Sequence, residues 1–185
     1  FSFFDLVKVN FCSNCGSDQL SFEIPDGDSR LRHVCPNCNT IHYQNPKMVV
    51  GCLPIWEEKI LICKRAIQPR AGFWNLPAGY LENGETLEQG ATRETWEEAQ
   101  AKAEIIRLHC VYNIPRINQV YFFFLAKLLK PEFGVGEESL AVELFEADKI
   151  PYEEMAFPSS VFAIRKFLAN KDTGFEGVHI GAFKH

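Results

Sequence analysis

The chain has 185 residues, 46% of them hydrophobic and sixteen of them Phe, with a formal net charge of −5. That is enough apolar material for a substantial core, and the acidic balance supplies no global basic field for nucleic acid. The longest apolar run, residues 120–126, is the length of a strand rather than a membrane span. The N-terminus lacks the positive-then-apolar layout of a secretory signal, and the start at Phe1 without Met fits a trimmed or processed chain.

In chain order, the first readable feature is a pair of Cys-x2-Cys motifs, Cys12/Cys15 and Cys35/Cys38, separated by nineteen residues. Each pair is short enough for both sulfurs to reach one tetrahedral Zn²⁺. Gly16 and Asn39 follow the second cysteine of each pair, and both residue types tolerate the positive φ of a tight metal-binding knuckle. A zinc ribbon over residues 1–43 is therefore expected, with strands near 20–24 and 31–34 joined by a turn at Pro25-Asp-Gly-Asp28. Two disulfides are the competing reading, but a chain with this apolar fraction has no need of such staples. With four cysteines present, neither His33 nor His42 is required as a ligand. Cys52, Cys63 and Cys110 fall in apolar stretches and read as buried thiols.

Gln44-Asn-Pro46 marks a boundary, after which strands are predicted at 48–56, 59–64, 104–112, 119–129 and 142–146, with helices at 86–101 and 158–170. Mixed strands with two or three helices read as α/β, layered as an α/β/α sandwich over residues 46–170. The tail, 171–185, has no assignment.

Residues 79–98 crowd six carboxylates and an arginine together, and four of the carboxylates, Glu85, Glu94, Glu97 and Glu98, stand at fixed spacing with Arg93. Pro77, Ala78 and Gly79 read as one turn and Asn83-Gly84 as another, and Thr86 is the expected N-cap of the first helix, with Glu88 and Gln89 in its first turn. Glu94 lies one turn from Glu97 and Glu98, so these carboxylates are expected on one side, with Trp96 and Ala99 directed to the core. Like charges at that spacing are tolerated most easily around a hard divalent cation, Mg²⁺ or Mn²⁺. Arg93 is placed to pair with a carboxylate such as Glu85 and hold the loop to the helix.

The order of these residues resembles the Nudix hydrolase box at Gly79, Glu85, Arg93, Glu94, Glu97 and Glu98, approached through Asn75-Leu-Pro-Ala-Gly79. Two positions depart from it: Thr95 stands at an apolar site, and Gln100 replaces the usual glycine, suggesting a helix end without a left-handed cap. The resemblance implies the layered sandwich and a metal-dependent cleavage of a nucleoside diphosphate linked to another moiety, in which metal ions lower the pKa of the attacking water. It further implies Glu94, Glu97, Glu98 and the Gly79 carbonyl as metal ligands, with Arg93 and Glu85 orienting loop and helix. Glu97 and Glu98 are implied to be catalytic, and Gly136-Glu-Glu138-Ser resembles the later loop that completes the site in several relatives, with Glu138 preferred to Glu137.

Substrate choice rests on resemblance alone. A ribbon before such a domain is found in NADH pyrophosphatases of the family, but their SQPWPFP signature is missing; the corresponding region begins at Val111 and reads through Pro115. Pro115 lies near a proline of ADP-ribose-cleaving members. From Leu76 to Ala99, and through the ribbon, the chain resembles plant chloroplast members that cleave FAD to FMN and AMP and also act on ADP-ribose. That resemblance implies small-molecule substrates (FAD, ADP-ribose), a chloroplast location with the targeting peptide absent from this chain, and a homodimer. No nucleic acid or membrane partner is expected. A nucleotide sensor docked through its ribbon is the alternative of another class. Against it, residues 1–43 carry only Lys8, Arg30 and Arg32 as fixed positive charges against five carboxylates. Tyr43, Arg65 and Phe133 are left outside the expected site.

Overall fold

The computed structural model describes residues 9–183, without the side chains of Lys171 and Asp172. The chain divides into two compact units between Pro46 and Lys47. The first eight residues of the expected ribbon segment, Lys8 among them, and the last two of the tail lie outside the described residues.

In the first unit, β1 (Ser21–Glu23), β2 (Arg32–Val34) and β3 (Ile41–His42) form an antiparallel meander. Its β1–β2 turn is closed by the Asp28 amide donating to the Pro25 carbonyl at 3.0 Å and by Arg32 Nε donating to the Asp28 carboxylate at 2.9 Å. β3, two residues long, offers no alternation for sequence reading to detect. Among the described residues of this unit only Cys12 and Cys35 are buried, so it has no hydrophobic core large enough to hold it unaided.

The second unit contains β4 (Lys47–Trp56), β5 (Lys59–Arg65), β6 (Trp74–Asn75), β7 (Ala78–Tyr80), α1 (Leu87–Ala99), β8 (Ala103–Ile114), β9 (Gln119–Leu128), β10 (Ser139–Phe145), α2 (Pro158–Thr173) and β11 (His179–Ala182). Its mixed eight-stranded sheet runs β10-β5-β4-β9-β8-β11, with β6 on β5 and β7 on β4. Side chains alternate along the central strands. On one face Val50, Cys52, Phe124 and Ala126 meet Ala91 of α1; on the other Val49, Leu53, Phe123, Cys110 and Tyr112 join the cluster holding Ala163 and Ile164 of α2. The α/β layering expected from the sequence is the one observed. Among the described residues, no helix is long and apolar enough to cross a membrane.

Two features differ from expectation and both shape the site. Ala78 and Gly79, expected in a turn, form strand β7 instead, because β4 pairs with β5 only at its end (Ile55 with Ile60, Trp56 with Lys59) and leaves its first half free to pair Val49–Gly51 with β7. The sheet forks there, and the box enters through the fork. The unassigned tail supplies β11, a parallel strand on β8 tied by Asn113 Nδ2 donating to the Gly181 carbonyl at 3.1 Å.

Candidate active site

Thr86 starts α1 as expected: its hydroxyl accepts from the Gln89 amide at 3.2 Å while Gln89 Oε1 accepts from the Thr86 amide at 2.8 Å, a reciprocal capping box. The helix then turns a stripe of small residues inward, with Gly90, Ala91, Thr95 and Ala99 buried. Thr95, the polar residue at an apolar position, is fully buried and satisfied by donating its hydroxyl proton to the Ala91 carbonyl at 2.8 Å. This stripe lets α1 lie close to β7, and a Cβ on Gly79 would collide with the Glu94 carboxylate.

That closeness sorts the glutamates. Glu94 and Glu98, one turn apart, are 9% and 5% exposed, whereas Glu97 has half of its side chain in solvent. The three carboxylates share one side of the helix, as expected, but at different depths: Glu94 and Glu98 are buried and Glu97 is half exposed at the same cavity. Trp96, expected in the core, is 50% exposed at the cavity with Lys102 over its ring, because the stripe facing the sheet has room only for small side chains. Burial, with Glu94 and Glu138 nearby, pushes the Glu98 carboxyl up to about 8, and burial likewise raises Glu94.

Arg93 gathers the loop and the helix. Its Nε and Nη2 donate to the two Glu85 oxygens at 2.7 and 3.0 Å, Nη2 also donates to the Tyr80 carbonyl at 3.0 Å, and Nη1 donates to Glu94 at 2.6 Å and Glu97 at 2.9 Å. The bidentate pair with Arg93 holds the Glu85 carboxyl below the usual carboxylate range.

Glu94, Glu97 and Glu98 border a cavity of about 890 Å³ that also meets Gly79, Glu137 and Glu138. Arg65, left outside the site in the sequence reading, lines it as well. Its guanidinium lies 5.1 Å from the Phe157 ring centroid, and its Nε donates to the Pro69 carbonyl at 3.0 Å. Tyr121, Gln119 and Tyr80 form a relay on the same wall: Tyr121 donates to Gln119 Oε1 at 2.9 Å and Gln119 Nε2 donates to the Tyr80 hydroxyl at 2.9 Å. Nothing in the spacing of these residues signals the relay, since β7 and β9 meet only across β4. Tyr43 belongs to the other unit, and Phe133 packs beside Leu61 and Cys63.

In the first unit Cys12, Cys15, Cys35 and Cys38 place their sulfurs within 4.8 Å of one another, and among the described residues this is the one metal-binding cluster so tightly drawn. Cys12 and Cys38, and likewise Cys15 and Cys35, are 3.6 Å apart. These separations suit a tetrahedron of thiolates about Zn²⁺ and exclude disulfides in this structure. The Thr40 hydroxyl and amide hold Cys38 down to about 5. The knuckles take positive φ at Gly16 (75°) and Asn39 (58°), and their amides return to the Cys12 and Cys35 carbonyls at 2.8 Å.

Residues 45–169 match the sequence model of the family described as NUDIX domain, and residues 10–44 match that described as Nudix N-terminal. The chain belongs to the Nudix hydrolase family. A crystal structure of a NUDIX hydrolase from Nitrosomonas europaea is 48% identical with a TM-score of 0.91, over 96% of this chain and 100% of that one. An ADP-ribose pyrophosphatase of Methanocaldococcus jannaschii is 29% identical over 59% of this chain and 67% of its own length. A protein of Chromobacterium violaceum named NAD-capped RNA hydrolase NudC is 28% identical over 76% of this chain, which spans about half (51%) of that relative. Nudix enzymes use divalent metals, and the residues present fit one: Glu94 and Glu98 are buried oxygen donors whose ionised forms need a cation beside them.

Proposed function

We propose that the Nudix domain is a pyrophosphohydrolase that cleaves FAD to FMN and AMP, and ADP-ribose to AMP and ribose 5-phosphate. The observation that carries the reaction type is the pair of buried carboxylates, Glu94 and Glu98, at the wall of one large cavity. Its volume of about 890 Å³ lies in the upper part of the roughly 300–1,000 Å³ typical of small-molecule sites. ADP-ribose and NAD, named in two of the relatives, share with FAD a diphosphate bearing an adenosine. The flavin itself rests on the likeness of residues 76–99 to the FAD-cleaving members.

In this reading Glu94, Glu97, Glu98 and the Gly79 carbonyl hold Mg²⁺ or Mn²⁺, which when bound supplies charge neutralisation and an acidified water. Arg93 and Glu85 fix the loop against α1 so that Gly79 and Glu94 keep their spacing. Glu138 serves as the loop carboxylate that completes the site, and Arg65 offers a guanidinium for the diphosphate from the cavity wall. Tyr80, whose oxygen already accepts from Gln119, keeps its own proton for a substrate acceptor. The four cysteines hold a structural Zn²⁺. A chloroplast location and a homodimer belong to the same reading.

The test is turnover of FAD, NADH, ADP-ribose and coenzyme A with Mg²⁺ or Mn²⁺, products identified by mass. FAD giving FMN and AMP at the highest kcat/KM supports the proposal. Preference for NADH, the second reading favoured by the ribbon and by the NudC relative, overturns the flavin assignment, and binding without turnover overturns the enzyme reading.

A further inference from the structure

We infer that Gln100 is a positioning residue that clasps the 134–138 loop to the end of α1 and so sets where Glu138 stands in the cavity. The inference rests on the hydrolase reading of that cavity. Gln100 closes α1 with φ 48° and ψ 30°, the left-handed conformation that glycine, the usual residue here, enters without strain. The expected absence of a left-handed cap is therefore corrected: the cap is present, and a glutamine makes it.

The side chain supplies a reason to keep that strained backbone. Gln100 Nε2 donates to the Val135 carbonyl at 3.2 Å, and its Oε1 lies so close to Gly134 that a Cβ there would overlap it. Backbone bonds flank this contact, with the Gly134 amide donating to the Ala99 carbonyl at 2.8 Å and the Gly136 amide to the Glu98 carbonyl at 3.1 Å. These two carbonyls belong to the helix end, where no intrahelical amide remains to satisfy them. Gly136 is buried, and a Cβ on it would run into the Glu97 carbonyl, so the loop reaches α1 only without a side chain at that position.

Beyond the clasp, the Ser139 amide donates to the Gly136 carbonyl at 3.1 Å and the Ala66 amide to the Glu138 carbonyl at 2.8 Å. Glu138 is thus held from α1 on one side and from the end of β5 on the other. Gln100 closes the span at Val135 that the backbone bonds leave open. A glycine would relax the cap and lose the clasp.

The decisive variant is Gln100→Gly, with Gln100→Asn, which tolerates the left-handed backbone but is too short to reach Val135, and Gln100→Met, which keeps the length without the donor. If Gln100 only caps the helix, Gln100→Gly keeps or raises Tm and leaves both loop and kinetics unchanged; that result overturns the inference. The clasp predicts that Tm holds or rises while amide exchange at 134–138 accelerates about fivefold to tenfold, as for one lost hydrogen bond. It also predicts that kcat falls about tenfold with KM within about twofold. Faster exchange with unchanged kcat overturns the link to Glu138. Should the parent protein turn over none of the four compounds, the hydrolase reading fails separately. Exchange at 134–138 and Mn²⁺ affinity by electron paramagnetic resonance then decide the clasp, with faster exchange and weaker Mn²⁺ binding supporting it and no change in either overturning it.

Discussion

Glu98 lies 5% exposed within a turn of Glu94, and a carboxylate so placed is costly to ionise unless a cation stands beside it. Replacing it by Gln removes the charge and preserves the shape. Glu98→Gln is expected to fold, to keep or raise Tm in the metal-free protein, and to lose about 10²- to 10³-fold or more in kcat. Steady-state kinetics beside a thermal melt checks both halves, and near-normal turnover would remove Glu98 from the chemistry. At the same scale, Arg93 touches Glu85, Glu94, Glu97 and the Tyr80 carbonyl. The pairing with Glu85 and the contacts with Glu94 and Glu97 on the same helix follow from spacing; the contact with the Tyr80 carbonyl depends on β7 lying beside α1.

Among the elements, α1 was legible because its start is local chemistry. Thr86 and Gln89 need only each other to make the capping box, so four residues of sequence suffice. Its faces were less legible. Trp96 looks like core by composition, but the stripe that fits against β4 and β7 consists of Gly90, Ala91, Thr95 and Ala99, and that fit is decided by the sheet. Strands β6, β7 and β11, of two to four residues, carry too little alternation to be read and exist because β5, β4 and β8 present free edges.

The packing of β8 against α2 yields a pH prediction. His109 is fully buried, its Nε2 is 2.9 Å from the Ala163 carbonyl, and burial drives its pKa down to about 4. Its folded pKa is thus below the unfolded value of about 6.5, so its contribution is complete above pH 6.5 and is lost as pH falls through 4. The span of about 2.5 units corresponds to about 3 kcal/mol at most. Buried Glu94 and Glu98, whose carboxyls are raised, change stability in the opposite sense over this range, in the parent and in His109→Gln alike. Relative to His109→Gln, the parent should therefore lose Tm between about pH 6.5 and pH 4, read by melts across the range.

At the scale of the whole molecule, the two units have different sources of stability. Residues 47–183 bury three apolar clusters, while the described part of residues 1–46 buries two cysteines and depends on its four thiols. Zinc-finger peptides gain about 10–16 kcal/mol from such a site. A chelator should therefore abolish amide protection over residues 12–38 while that of β4, β8 and β9 persists. Purified protein without zinc, or a ribbon that stays protected after chelation, would contradict the assignment.

What the sequence determined by itself is chemistry carried by short spacing. The cysteine pairs, the Thr86 cap, the Arg93–Glu85 pairing and the order of the acidic box all lie within reach of one knuckle, one loop or one helical turn. Tertiary structure decided what depends on distant segments meeting. It buried Glu94 and Glu98 but left Glu97 half exposed, and it brought Arg65, Tyr80, Gln119 and Tyr121 to one cavity. It also placed Gln100 over the loop that carries Glu138. The physical reason is that burial and long-range hydrogen bonds come from the fork of β4 and the docking of 134–136 on α1, which join residues that spacing along the chain does not relate.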